Sequence, residues 1–313
     1  MPSRPDSQRP LAILGVPSSA GAYAPGQEGA PAALRGAGLV ERLAGAGIAV
    51  VDHGDGEVWR WRPDRDRPRA QNLEAVAATI RKTAERVREA VLAGETPLVL
   101  GGDCTVGVGT VAGQLAAGER IGTIYFDMHP DLNVPESVVD GALDWMGMAH
   151  MLGIEGALDE LVQIGPRTPL LTPDDVLFFG YEPGQQTEWE RQAWERLGLT
   201  GVTASDVAAD PAGVAATTLP DLESRFDRLL IHFDVDVIDF TDAPLSENTG
   251  RNIGLSFEAA LAALAQLVRS ERFGGLTITE LNPNHGAQDG STLERFVEAL
   301  VAALAGSPGI QKT

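Results

Sequence analysis

The sequence predicts an α/β protein whose mostly parallel sheet carries helices on both faces. Short apolar runs recur along the chain, and helix-length segments with apolar residues three and four apart separate them. The polar residues best suited to chemistry cluster where those runs end, which is where ligands bind in an open parallel sheet. A length of 313 residues fits one large α/β unit.

Taken in order, the leader up to residue 10 is polar and proline-bearing, so order is expected from Leu11. The predicted strands are LAILGV at 11–16, IAVVD at 48–52, PLVLGGD at 97–103 and IGTIYFD at 121–127. DVLFFG at 175–180, LLIHFDVDVID at 229–239 and GLTITELN at 275–282 follow. Helical periodicity marks 72–93, 188–197 and 256–269. The stretch 58–69 is polar, proline-broken and reads as a surface loop.

Composition narrows the function. Lys and Arg total 24 against 44 Asp and Glu, a formal net charge of −20. That charge opposes phosphate backbones and anionic lipid, so neither nucleic acid nor a membrane is an expected partner. It suits a cationic ligand, or simply a solvated surface. The single cysteine, Cys104, excludes an internal disulfide framework and fits a reducing compartment. No apolar run approaches the roughly 18 residues of a membrane helix, and the chain reads as cytoplasmic.

Four polar clusters follow the runs: Gly101–Cys104, Asp127–Asp131, Asp234–Asp236 and Glu280–Pro283. In extended backbone alternate residues share a face, so Asp127, His129 and Asp131 can converge, as can Asp234 and Asp236. Carboxylates packed that closely repel unless protons or cations neutralise them. A two-cation site follows, and oxygen donors with one imidazole suit an ion such as Mn²⁺. The blander alternative makes these acids helix caps or solvated strand ends.

The segment 14–43 (LGVPSSAGAYAPGQEGAPAALRGAGLVERL), GGDC, FDMHPDLNVPE, HFDVDVID and ELNP together resemble the ureohydrolases, the family of arginase and agmatinase. The resemblance implies a single three-layer domain over 11–313 with about eight strands. It implies two manganese ions on Asp127, His129, Asp131, Asp234 and Asp236, with Cys104 at the remaining ligand position. It implies a bridging hydroxide that attacks a guanidino carbon, Asp131 as proton shuttle, and Glu280 gripping the guanidinium through paired N–H donors. A trimer or hexamer is expected on the same ground.

Departures from the family pattern bear on substrate. Where the family reads G-G-D-H, this chain has Cys104, a softer ligand or else a small buried thiol; the family's hydroxyarginine-hydrolysing branch shares that cysteine. Asp144 aligns with a proton-relaying histidine, and acts as acid or base only if its pKa is raised. Asn133 and Ser137 fall at positions that contact the substrate's amino-acid end, whereas an Asn there becomes Ala142. Gln185 replaces an aspartate that meets an α-ammonium, and Glu188 closes that segment. The expected substrate is therefore a small guanidine or amidine other than plain L-arginine. Two other readings stay open: a metal-binding or regulatory protein that has lost turnover, and a deacetylase, disfavoured because no His-His pair occurs. His53, His150, His232 and His285 read as structural histidines, and Trp145 and Met146 as pocket wall or core.

Overall fold

The computed structural model describes residues 8–313. Each predicted apolar run forms a strand: β1 (Leu11–Gly15), β2 (Val50–Asp55), β3 (Thr96–Leu100), β4 (Ile121–Phe126), β5 (Val176–Tyr181), then β7 (Arg228–Asp234) and β8 (Phe273–Thr279). The eighth strand that the resemblance implies, β6 (Gly201–Thr203), was not located from the sequence, because three half-buried residues at a sheet edge make too short a signal. The eight pair in parallel in the order β2-β1-β3-β8-β7-β4-β5-β6.

Strand alternation assigns the two faces. Leu98, Leu100, Ile124 and Phe126 pack to one side, and Val99, Ile121 and Tyr125 to the other. The first side is covered by helices α1 (Ala30–Gly36) and α2 (Leu39–Gly45), together with α8 to α11 described below. The second is covered by α3 (Leu73–Leu92), α4 (Val106–Ala116), α5 (Gly147–Leu152), α6 (Asp159–Val162) and α7 (Glu188–Leu197). Helices α8 (Ala204–Ala209), α9 (Pro211–Arg225), α10 (Phe257–Leu267) and α11 (Ser291–Ala305) complete the chain. The predicted helices over 72–93, 188–197 and 256–269 are α3, α7 and α10. The fold is thus one parallel sheet between two helical layers.

Among the described residues no helix is long and apolar enough to cross a membrane. Of the expected leader, residues 1–7 lie outside the described part, while Arg9 donates its main-chain N–H to Gly309 and bridges Ile310.

Candidate metal centre and active site

The four polar segments emerge from β3, β8, β7 and β4, which are neighbours at the centre of the sheet. Their side chains therefore meet above one carboxyl edge. At the first segment the backbone packs against Ser18 so closely that a Cβ on Gly102 would lie 1.6 Å from the Ser18 carbonyl oxygen. Buried Asp103 then accepts from Gly21 N–H at 3.0 Å and Thr105 N–H at 3.1 Å, which fixes where Cys104 begins.

Cys104 Sγ lies 2.8 Å from Asp234 Oδ2, 3.3 Å from Thr279 Oγ1 and 3.4 Å from His232 Nε2. Two groups of potential ligand atoms form, each with its atoms within 4.8 Å of one another: Cys104, Asp127, His232 and Asp234, and Asp127, His129 and Asp236. Asp127 belongs to both. His129 Nδ1 stands 3.0 Å from Asp236 Oδ2 and 3.7 Å from Asp127 Oδ1.

Extended-strand alternation does not produce this convergence. Strand β7 ends at Asp234, and Asp236 sits in a following 3₁₀ turn, its N–H donating to Asp234 Oδ1 at 2.7 Å. Beyond β4, Asp131 has φ 49°, a left-handed conformation uncommon for a non-glycine residue. It lines the same cavity but belongs to neither tight group, and the Tyr125 hydroxyl holds its Oδ2.

Electrostatics bear on what these groups want. Burial, then Asp234 and Asp131, pushes the Asp127 carboxyl well above the usual range. Asp234 is pushed the same way by burial and by Asp236, and Asp131 rises to about 8, chiefly from burial. Asp236 escapes: burial would raise it, but the His129 charge and hydrogen bond, joined by hydrogen bonds with Asn248 and Asp234, together hold it low, while His129 itself rises to about 9 against its own burial because of Asp236. Asp127 Oδ2 and Asp236 Oδ1 are buried with no hydrogen-bond partner. Orphaned acceptors beside unwillingly charged acids are what divalent cations satisfy, so the donor set fits a pair of them.

Glu280, φ 60°, closes the far wall. Its Oε1 accepts from Cys104 N–H at 2.8 Å and its Oε2 from Gln27 Nε2 at 3.0 Å. Burial, then Asp103, raises its carboxyl well above the usual range. Asp144 is raised likewise by burial and then Glu280, and its Oδ1 accepts Trp145 N–H at 2.9 Å. All of these face a cavity of about 420 Å³, and among the described residues no Lys or Arg lines it.

The expected substrate residues divide. Asn133 and Gln185 line the cavity. Ser137 does not; its hydroxyl donates to Asn133 Oδ1 at 3.0 Å and so braces Asn133 from behind. Glu188 does not either: it is solvent-facing, paired with Arg191 at 2.7 Å and Gln192 at 2.9 Å. The capping box between Thr187 and Glu190 starts α7 so that Glu190 turns inward instead, accepting from Leu132 N–H and Thr187 N–H.

Gln27, Asn248, Glu190 and His232 were not singled out from sequence as site residues. Only His232 carried a legible signal, since it lies two residues before Asp234 on one strand and so shares its face. The other histidines have local partners: His53 with Glu95 at 2.7 Å, His150 with the Met146 carbonyl at 2.6 Å and His285 with the Ser246 carbonyl at 2.8 Å.

A parallel sheet between two helical layers, with an acidic cluster suited to metal at its carboxyl edge, fits a metal-dependent α/β enzyme. The chain belongs to the arginase family, whose profile matches residues 9–306. It is 32% identical to the arginase of Bacillus caldovelox over 283 residues, covering 88% of this chain and 91% of that one. It superposes on the crystal structure of Bacillus subtilis arginase with a TM-score of 0.83 at 28% identity, covering 95% of this chain and 98% of that one. Formimidoylglutamase of Bacillus subtilis shares the fold at a TM-score of 0.75 and 19% identity, over 97% of this chain and 89% of that one.

Proposed function

We propose that this chain hydrolyses the C–N bond of a small guanidine or amidine, with Mn²⁺ held at one or both positions of the acidic cluster. The observation carrying this reading is the sharing of Asp127 between two ligand groups, in which Asp127 Oδ2 and Asp236 Oδ1 lack partners and whose Cys104, His129, Asp234 and Asp236 line one cavity with Glu280. Cys104, Asp127, Asp131, His129, Asp234 and Asp236 are the proposed ligands. Cations held there would supply Lewis acidity that activates water as a nucleophile near neutral pH.

The chain's own residues do the rest. Glu280, which lines the cavity with its two oxygens fixed by Cys104 N–H and Gln27, receives the planar guanidinium. Asp144, whose carboxyl burial and then Glu280 push above the usual range, is suited to give a proton to the departing amine through Oδ2, Oδ1 being engaged by Trp145 N–H. Asp131, its Oδ2 held by the Tyr125 hydroxyl and its carboxyl lining the cavity, is placed to pass a proton between water and substrate. Asn133 and Gln185 meet the tail. An acidic cavity without Lys or Arg suits a cationic head.

The Cys104 substitution and Gln185 favour Nω-hydroxyarginine or another modified guanidine over L-arginine. A cytoplasmic, homo-oligomeric enzyme, trimeric or hexameric, completes the reading. Chelated protein restored with Mn²⁺ and incubated with guanidines and amidines tests it: release of urea, hydroxyurea or an amide on metal addition supports the reading, and none from any of these substrates refutes it. The alternative, a metal-binding relative without turnover, has only the replacements Cys104 and Asp144 in its favour.

A further inference from the structure

His232 occupies a place made for it. Its ring stacks on Tyr125, centroids 4.3 Å apart and planes 9° from parallel. On its other side runs α4, where a Cβ on Gly107 would sit 2.5 Å from His232 Nδ1, so only glycine leaves room for the ring. His232 is 4% exposed, in the middle of the central strand β7, and its Nδ1 has no partner. An apolar side chain would fill that space without burying an unsatisfied nitrogen. The ring instead directs Nε2 to within 3.4 Å of Cys104 Sγ and 3.2 Å of Thr279 Oγ1.

We propose that His232 ligates the cation on the Cys104 side, completing with Cys104, Asp127 and Asp234 a sulfur, nitrogen and oxygen donor set selective for a zinc-like ion over Mn²⁺. This rests on the two-cation reading above. The spacing supports it: metal–sulfur and metal–nitrogen bonds of about 2.3 and 2.0 Å at a tetrahedral angle place the two donors about 3.5 Å apart, close to the separation seen. The partnerless Asp127 Oδ2 belongs to the same group. Thiolate plus imidazole shifts preference from Mn²⁺ toward Zn²⁺ or Co²⁺. The second position, with Asp127, His129 and Asp236, keeps one imidazole and two carboxylates and stays suited to Mn²⁺.

The test titrates full-length protein, labelled with ¹⁵N in its histidines, with Zn²⁺, and follows Co²⁺ binding by its thiolate charge-transfer absorption. Ring-nitrogen resonances of two histidines, His129 and His232, are expected to shift, with those of His53, His150 and His285 unmoved. His232→Asn is expected to weaken the thiolate-bound Co²⁺ by about tenfold or more while leaving the second ion's affinity unchanged, and to preserve the metal-free thermal transition. Two bound ions with an unmoved His232 resonance in wild-type protein overturn this proposal alone. No cation binding at all overturns it together with the two-cation reading.

Discussion

Cys104 holds Glu280 by its main chain: the Cys104 N–H donates to Glu280 Oε1 at 2.8 Å. The residue at the divergent ligand position thus orients the proposed guanidinium receptor through an N–H that every substitution except proline retains. Change at position 104 can retune metal binding without moving the substrate carboxylate.

Substitution at that position is therefore expected to act on metal affinity. Cys104→His brings a second imidazole against His232, Asp234 and Thr279, all within 3.4 Å of the present sulfur. Such overpacking typically costs about 1–3 kcal/mol, so the single variant should gain little Mn²⁺ affinity. Cys104→His combined with His232→Ser relieves the crowding and is expected to tighten Mn²⁺ by about tenfold or more, since imidazole needs no thiol deprotonation. Calorimetric titration of both variants checks this.

Glu280→Gln removes the charge that meets the guanidinium. A loss of about a hundredfold or more in kcat/KM is expected, as for a buried charged hydrogen-bond pair, with metal stoichiometry intact. Because Glu280 is buried beside Asp103 and charges reluctantly, the same variant should melt higher than wild type when both are metal-free. A lower melting temperature would contradict the electrostatic description of this wall.

Metal removal should make stability depend on pH with a definite sign. Burial pushes Asp131 up to about 8 in the folded protein from an ordinary 3.8, so across that window the folded state binds more protons than the unfolded. Its favourable contribution is complete below about pH 4 and is lost as pH rises toward about 8. Asp127 and Asp234 act in the same direction. The gap in melting temperature between metal-loaded and chelated protein is expected to widen from pH 5 to pH 8, by about a few degrees or more. A gap that narrows would show that cations do not relieve this repulsion.

Gln185→Asp should raise kcat/KM for L-arginine more than for guanidinobutyrate, which carries a carboxylate but no ammonium. Steady-state kinetics on both substrates decide it. The effect is expected to be modest, about tenfold, because Asp140 and Glu190 already place carboxylates in the cavity wall.

The sheet was legible because buried parallel strands are continuous apolar runs, and LAILG, IGTIYF and RLLIHFD all read that way. Site segments were legible by position, since polar residues end those runs. Geometry past the strand ends was not: the left-handed Asp131 and the turn at Asp236 replace the expected extended backbone. Facing on α7 was also hidden, because a capping box three residues long decides whether Glu188 or Glu190 points inward. Gln27 reaches Glu280 across 253 positions of sequence, a pairing that no local pattern announces.

The most direct measurement is the steady-state release of urea or hydroxyurea by metal-loaded protein from L-arginine, Nω-hydroxyarginine, agmatine and guanidinobutyrate, run beside Glu280→Gln. Metal-dependent cleavage is expected, with the highest kcat/KM on a modified guanidine rather than L-arginine and with near-complete loss in the variant. Protein that binds two cations yet cleaves none of the panel would contradict the proposed hydrolase outright.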